Sequence, residues 1–118
     1  MQKELNFRDM PHIESREWVR LFNDILPSCY NLLHLDLRNN AAIELDVKYF
    51  SQKDTSNFLN NLKTLILTNN TDMFGDILAF ASLKKLQHLD VQGVTLLNGD
   101  VGKAFGNNLE LKMLVLAG

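Results

Sequence analysis

The chain has 118 residues, 46% of them hydrophobic and 22% charged, so it is predicted to fold as one domain of ordinary globular composition. Lys and Arg number 12 against 14 Asp and Glu, and this net charge of -2, with no basic run, argues against a nucleic-acid partner. The sequence holds no apolar run of membrane-spanning length and no signal-peptide pattern at its start, so we expect no membrane partner and a cytoplasmic location.

A nine-residue pattern recurs along the chain and predicts five short strands. The template is L-x-x-L-x-L-x-x-N, with Leu, Val, Phe or Met accepted in the apolar slots. Two segments match it in full, from Leu32 to Asn40 and from Leu62 to Asn70. Three segments match it in part: QKELNFRDM at 2–10, LQHLDVQGV at 86–94 and LKMLVLAG at 111–118. Successive copies begin 30, 30, 24 and 25 residues apart. The pattern predicts strands near 3–8, 33–38, 63–68, 87–92 and 112–117.

Helical spacing appears between the first strands. Apolar residues recur at intervals of three and four between Ser15 and Pro27, which predicts a helix of about three turns with Ser15 as its N-cap. Its apolar side is Trp18, Leu21, Phe22, Ile25 and Leu26. A second, weaker helix is predicted from Ser51, because Ser51 and Asp54 have capping-box spacing.

Two Gly-Asp pairs, Gly75-Asp76 and Gly99-Asp100, lie 24 residues apart and are predicted to be turns. Each is followed by Ile or Val, then Phe and Leu. With these features the chain resembles the leucine-rich repeat family over nearly its whole length. Its short repeats are similar to the plant-type subclass, and its long repeats are similar to the helix-bearing kind.

The resemblance implies an α/β fold, a leucine-rich repeat solenoid that winds as a right-handed superhelix. A short parallel sheet would line its concave face, with helices and 3-10 turns on the convex face. Residues 1–118 would form one domain of about 4.5 repeats, or a fragment of a longer array. The slot leucines would be core. The resemblance also implies that the Asn40 and Asn70 side chains bond the backbone of adjacent turns, whereas Met10 and Val94 in the same slot cannot.

Residues between the slots are predicted to lie on the concave face and to form a surface that binds a protein partner. They are His34, Asp36, Arg38, Thr64, Ile66, Thr68, His88, Asp90, Gln92, Met113 and Val115. Glu4, Asn6 and Arg8 hold the matching places of the first repeat. Ile66, Met113 and Val115 are candidate anchors, because exposed apolar groups on such a face often bind. The alternatives are that isolated exposed apolar residues are ordinary, or that a further repeat covers them.

The sequence offers little catalytic chemistry. His34 and His88 share a column of the predicted sheet but stand two strands apart, and Cys29 has no neighbouring ligands, so we expect no metal site. No nucleophile, base and orienting group can be assembled, so we expect no enzyme activity and no cofactor.

The expected function is therefore non-catalytic protein binding through a rigid concave face, with the partner unidentified. An alternative is a structural subunit of a large assembly, held by a neighbouring subunit or a second copy at the uncapped C-terminal edge LVLAG. A third reading is an enzyme fragment whose catalytic part lies elsewhere.

Overall fold

The computed structural model describes residues 3–29, 31–51, 59–108 and 110–116, and its main feature is a five-stranded parallel sheet. The strands of the described residues are β1 (Glu4–Asn6), β2 (His34–Asp36), β3 (Thr64–Ile66), β4 (Phe74–Asp76), β5 (His88–Asp90), β6 (Leu96–Asn98) and β7 (Met113–Val115). The main sheet has the order β1-β2-β3-β5-β7. Each of its strands lies inside one of the five ranges that the repeat pattern predicts.

The register of the main sheet places the slot leucines side by side. Leu5, Leu35, Leu65, Leu89 and Leu114 pair in that order across the five strands. The three inner leucines are fully buried, and the two outer ones are half-buried and pack against the core. This register is strongly specified, because a slip by one residue would bring the flanking polar side chains into the core.

The first connection is helical, as the spacing predicts, but it changes geometry along its length. Helix α1 (Ser15–Arg20) continues into a π-helical turn (Leu21–Ile25) and then a 3-10 turn (Leu26–Ser28). Leu26 donates its N–H to the carbonyl of Leu21, five residues back. Because a π turn holds more residues than an α turn, it shifts the phase of the apolar side. Ile25 is therefore exposed, contrary to prediction, while Leu21 and Leu26 are buried.

The N-cap of α1 is Glu14 and not Ser15. The Glu17 carboxylate accepts the N–H of Glu14 at 3.2 Å, in the manner of a capping box. Ser15 instead donates its hydroxyl to the carbonyl of Ala42 at 2.9 Å, which ties the helix to the next connection. The predicted cap was wrong because a long-range acceptor took the hydroxyl that a local cap would have used.

The remaining helical elements are short. Among the described residues they are the 3-10 helices Val47–Ser51 and Ile77–Ser82 and the helix α2 (Val101–Phe105). The second predicted helix begins at Ser51, which ends the 3-10 helix Val47–Ser51, and most of its span, residues 52–58, lies outside the described residues. Each of the three short helices buries a phenylalanine, and Phe50, Phe80 and Phe105 follow one another with ring centroids 5.7 and 6.5 Å apart. Within the described ranges, helices are all too short or too polar to cross a bilayer.

A second, two-stranded parallel sheet joins β4 to β6 on the connections between main-sheet strands. Gly75 lies within β4, not in a turn as predicted, and Gly99 follows β6; their φ values are +119° and +117°. Both residues use the positive φ that glycine tolerates. A Cβ at Gly75 would meet a carboxylate oxygen of Asp46 at 2.5 Å. The positive φ, together with this close contact, accounts for glycine here.

Two buried asparagines tie neighbouring coils together. Asn40 donates to the carbonyls of Phe7 at 2.8 Å and Leu37 at 2.9 Å, and its Oδ1 accepts the N–H of Met10 at 2.8 Å. Asn70 donates to the carbonyls of Leu37 and Leu67, each at 2.9 Å. The predicted bonding of both asparagines is confirmed.

The equivalent position in the fourth repeat is Val94, which is fully buried. In its own turn, the Val94 N–H donates to the carbonyl of Val91 at 3.1 Å. The side chain fills space in the core but forms no bond to the coil before it.

Candidate protein-binding face

The strands of the main sheet display a second set of side chains opposite the slot leucines. We call this surface the open face, and its members are Glu4, Asn6, Arg8, His34, Asp36, Arg38, Thr64, Ile66, Thr68, His88, Asp90, Gln92, Met113 and Val115. The strand register aligns them in columns: Glu4, His34, Thr64, His88 and Met113 form the first, and Asn6, Asp36, Ile66, Asp90 and Val115 form the second. Eight of the eleven predicted site residues fall in these two columns. The other three, Arg38, Thr68 and Gln92, each lie two residues after the second column, and their backbone stays aligned because Asn39 N–H donates to Thr68 O and Asn69 N–H to Gln92 O, each at 2.8 Å.

Polar residues of the second column hold the turns that follow their strands. The Asp36 carboxylate accepts the N–H of Arg38 at 3.2 Å, and the Asp90 carboxylate accepts the N–H of Gln92 at 3.0 Å. The side-chain oxygen of Asn6 likewise accepts the N–H of Arg8, two residues on, at 3.1 Å. Such bonds from Asx side chains to the backbone two residues on stabilise tight turns. These side chains therefore have a structural role in addition to any role in binding.

Asp36 and Arg38 also form an ion pair on the open face. Arg38 Nε donates to both carboxylate oxygens at 3.0 and 3.1 Å, and Nη2 donates to Oδ2 at 2.6 Å. Burial opposes ionisation of Asp36, but the hydrogen bonds and positive charge of Arg38 outweigh it and hold the pKa of the carboxyl below its usual value. The Arg38 side chain remains 40% exposed. Its Nη1 is bonded to nothing in the described parts of the chain, so an oriented donor faces solvent.

The two histidines of the repeated HLD segment do not converge. Thr64 lies between His34 and His88 in the register, and His34 Nδ1 lies 2.9 Å from the Thr64 hydroxyl. Across the described residues, His, Cys, Asp and Glu side chains form no group of three or more that could hold a metal ion. The first column therefore offers hydrogen-bonding groups and not a coordination site.

Ile66 is not the exposed anchor that the sequence predicts. Its side chain is only 7% exposed, although it is not a member of the main core cluster. It lies between Asp36 and Asp90 in the register and helps line a depression of about 250 Å³ on the open face. On an inner strand, side chains at the usual lateral spacing of about 4.8 Å cover one another from both sides. The prediction was wrong because it did not count this coverage.

Met113 is the apolar residue of the open face that is exposed, at 52%, whereas Val115 is half-buried. Both lie on β7, at the edge of the main sheet, where a strand has a neighbour on one side only.

Sequence reasoning missed a second apolar surface on β4 and β6. Phe74 and Leu96 are register partners there, and both side chains are exposed. The recurrence of Gly-Asp pairs at the spacing of the strands was the available signal that the connections also stack in register. A scan against protein-family models and searches of curated proteins and of solved structures found no match to the chain.

Proposed function

We propose that the chain is a leucine-rich repeat solenoid and that its open face is the concave surface, which binds another protein without catalysis. The recurrence of strands at the spacings of the repeat pattern and the bonds of Asn40 and Asn70 support the solenoid. The observation that carries the function is the open face itself, an in-register array of polar and apolar side chains on a hydrogen-bonded sheet.

Rigidity is the physical basis of the proposed binding. Four backbone bonds fix the exits of the five strands, at 2.8 to 2.9 Å: Phe7 N–H to Asp36 O, Leu37 N–H to Ile66 O, Leu67 N–H to Asp90 O and Val91 N–H to Val115 O. A surface that is already ordered loses little conformational entropy when a partner binds. More of the contact energy then remains as affinity.

The open face combines the groups that anchor protein interfaces. Arg38 is held in one orientation by Asp36, and Arg residues with fixed geometry are common binding hot spots. The depression above Ile66 is about 250 Å³, large enough for one side chain of a partner. Met113 adds exposed apolar area at the sheet edge.

The test is a pull-down from lysate of the source cells with three baits: the wild type, an open-face variant and a matched control. The open-face variant carries His88→Glu, Gln92→Glu and Met113→Glu, which avoid buried Ile66 and the turn-forming aspartates. The control carries His12→Glu, Val19→Glu and Asn23→Glu. These are similar residue types with the same added charge, exposed on α1 and its flanks.

A protein retained by the wild type and the control but lost by the open-face variant supports the proposal. Circular dichroism must first show that all three baits are folded. A protein held equally by all three baits contradicts recognition through the open face.

A second candidate function has its own observation. Leu116 is exposed beside β7, and a depression of about 200 Å³ there is lined in part by Ile77, Leu97, Val101 and Leu116. The edge strand and this apolar area would suit a structural subunit that a neighbour covers. The discriminating variant is Leu116→Lys, because it would release an edge-bound partner and leave an open-face partner in place.

A further inference from the structure

A row of lysines runs along the margin of the main sheet where the strands begin. The row is Lys3, Leu33, Lys63, Gln87 and Lys112, one residue before each strand. Its backbone is in register, because each member from Leu33 onwards donates its N–H to the carbonyl of the preceding member at 2.8 Å. The three lysines are exposed and occupy every second strand.

Two more lysines extend the positive charge of this margin. Lys84 and Lys85 are exposed and lie just before Gln87, and Lys85 donates to Asn61 Oδ1 at 3.1 Å, which holds its ammonium group beside the start of β3. We call Lys3, Lys63, Lys84, Lys85 and Lys112 the lysine margin. Within the described ranges, ion pairs involve none of them.

The lysine margin contrasts with the rest of the molecule. Five of the chain's 12 Lys and Arg residues lie here, although the chain has a net charge of -2. The acidic residues nearest to the lysine margin in sequence are Glu4, which follows Lys3 directly, and Glu110, which lies two residues before Lys112. With these two carboxylates counted, the margin still carries a net charge of +3 on a chain whose net charge is -2, and charge complementarity selects a negatively charged partner.

The spacing of the row identifies the kind of partner. Parallel strands lie about 4.8 Å apart, so Lys3, Lys63 and Lys112 are separated by about 10 Å at each step. A peptide in the extended polyproline II conformation has three residues per turn and rises about 3.1 Å per residue, so every third side chain returns to the same face after about 9 Å. We infer that the lysine margin binds an extended acidic segment of the protein partner, with carboxylates at every third residue.

This inference rests on the proposed function, because it concerns the same partner, and it sets how that partner lies. The lysine row precedes the Asp36 and Asp90 column by three residues, about 10 Å along the strands. An acidic segment on the row would cross the strands and avoid these carboxylates. The rest of the partner would then cover the first column and the depression above Ile66.

The test uses two peptides of nine residues and equal composition. The spaced peptide carries glutamates at its positions 2, 5 and 8, and the clustered peptide carries them at 4, 5 and 6, with serine or threonine elsewhere. Binding is followed by titration of the ¹⁵N-labelled chain at low salt, with amide shifts read residue by residue. We expect the spaced peptide to shift the amides of the lysine row, to bind more tightly than the clustered one, and to lose binding in 1 M salt.

The decisive variant is Lys3→Gln, Lys63→Gln and Lys112→Gln. An exposed ion pair is worth a factor of about 1.4 to 5 in affinity, so losing three weakens the spaced peptide roughly 3- to 125-fold. The matched control is Arg20→Gln, Lys48→Gln and Lys103→Gln, which removes the same charge from exposed positions elsewhere. The control should lower affinity by less than the lysine-row variant.

Four outcomes overturn the inference: equal affinity for the two peptides, equal loss in the two variants, tighter binding of an oligothymidylate of equal charge, or tighter binding of phosphatidylserine vesicles. The third favours a nucleic acid and the fourth a membrane surface as the partner of this patch. Because the titration uses peptides in place of the partner, a negative titration does not contradict a partner that the pull-down assigns to the open face. Conversely, failure of the pull-down leaves the peptide result standing.

Discussion

Asn40→Ala should destabilise the chain much more than Asn70→Ala, although both asparagines are buried and hold the same repeat position. The difference lies in what each side chain leaves behind. Removing the Asn40 side chain leaves the Met10 N–H and the Phe7 carbonyl without the only bonds that the described residues provide. Removing the Asn70 side chain leaves no such group, because the Leu37 carbonyl still accepts the hydrogen bond from the Asn40 side chain.

The magnitudes follow from this count of orphaned groups. Each backbone group left unpaired in a buried site costs about 1 to 3 kcal/mol, and because the two orphaned groups are only partly buried, we expect the lower part of the summed range, about 2 to 4 kcal/mol, for Asn40→Ala. After Asn70→Ala, the Leu67 carbonyl still accepts a hydrogen bond from the backbone N–H of residue 70. Asn70 Oδ1 is itself buried without a partner among the described residues, so its removal offsets part of the loss. We expect about 0 to 2 kcal/mol for Asn70→Ala.

The double variant tests the shared acceptor. Only when both side chains are absent does the Leu37 carbonyl lose both of its side-chain donors. The double variant should therefore lose about 1 to 3 kcal/mol more than the sum of the two single variants.

The measurement is urea unfolding followed by far-ultraviolet circular dichroism, with Asn60→Ala at an exposed position as the control. The m-value must stay constant, so that a shift of midpoint reports stability alone. Equal losses for Asn40→Ala and Asn70→Ala, or a double variant that is simply additive, would refute the reasoning.

Three further predictions concern single positions. Gly75→Ala should cost about 1 to 3 kcal/mol in thermal unfolding, because alanine at a φ of +119° is strained and its Cβ meets Asp46. Asp36→Asn should cost less than about 1 kcal/mol at neutral pH, since the ion pair with Arg38 is partly exposed. Folding lowers the pKa of Asp36, so the ionised carboxylate stabilises the folded state above its unfolded pKa, and this contribution is lost as pH falls below about 4. The free energy of unfolding of Asp36→Asn should therefore depend less on pH below about 4 than that of the wild type. Burial raises the pKa of the Tyr49 phenol above that of an unfolded tyrosine, so the free energy of unfolding should fall as pH rises above about 10. In an absorbance titration, Tyr49→Phe should lack one late-ionising phenol.

The matched control for Gly75→Ala is Gly102→Ala. Gly102 lies in α2 without a positive φ, and an added Cβ would lie 3.2 Å from a carboxylate oxygen of Asp100, so Gly102→Ala should change stability by less than about 1 kcal/mol. A loss at Gly102 equal to that at Gly75, or parallel pH curves for Asp36→Asn and the wild type, would contradict the stated causes.

The strands and their register were predictable because the repeat pattern carries both. An apolar residue two places after another, followed by a turn, specifies a one-sided strand, and recurrence at a near-constant spacing aligns successive strands. Asn40 and Asn70 were predictable for the same reason, since they close the same turn in two full copies of the template. The whole open face follows from the register, and for this reason its eleven predicted members lie together.

Other features depend on contacts that no local pattern records. Asn39 and Asn69 lie next to the slot asparagines in sequence, yet both have a left-handed backbone, with φ of 62°, and they form their own exposed ladder. Asn69 donates to Asn39 at 2.9 Å, and Asn39 donates to Asp9 at 2.7 Å. The π turn before Leu26 is likewise invisible to periodicity, because a single extra residue in one turn looks like an ordinary irregularity.

The second column of the open face shows why exposure and function are hard to separate by sequence. Asp36 and Asp90 each accept a backbone N–H two residues on, so a carboxylate is useful there whether or not a partner binds. Ile66 holds the same place and cannot accept such a bond, and its side chain is buried between the two aspartates. The fold therefore constrains this column. Among the described residues, Arg38 Nη1, His88 and Met113 form no such hydrogen bond to the backbone. Specificity for a partner should reside in the latter groups, because they can change without weakening a turn.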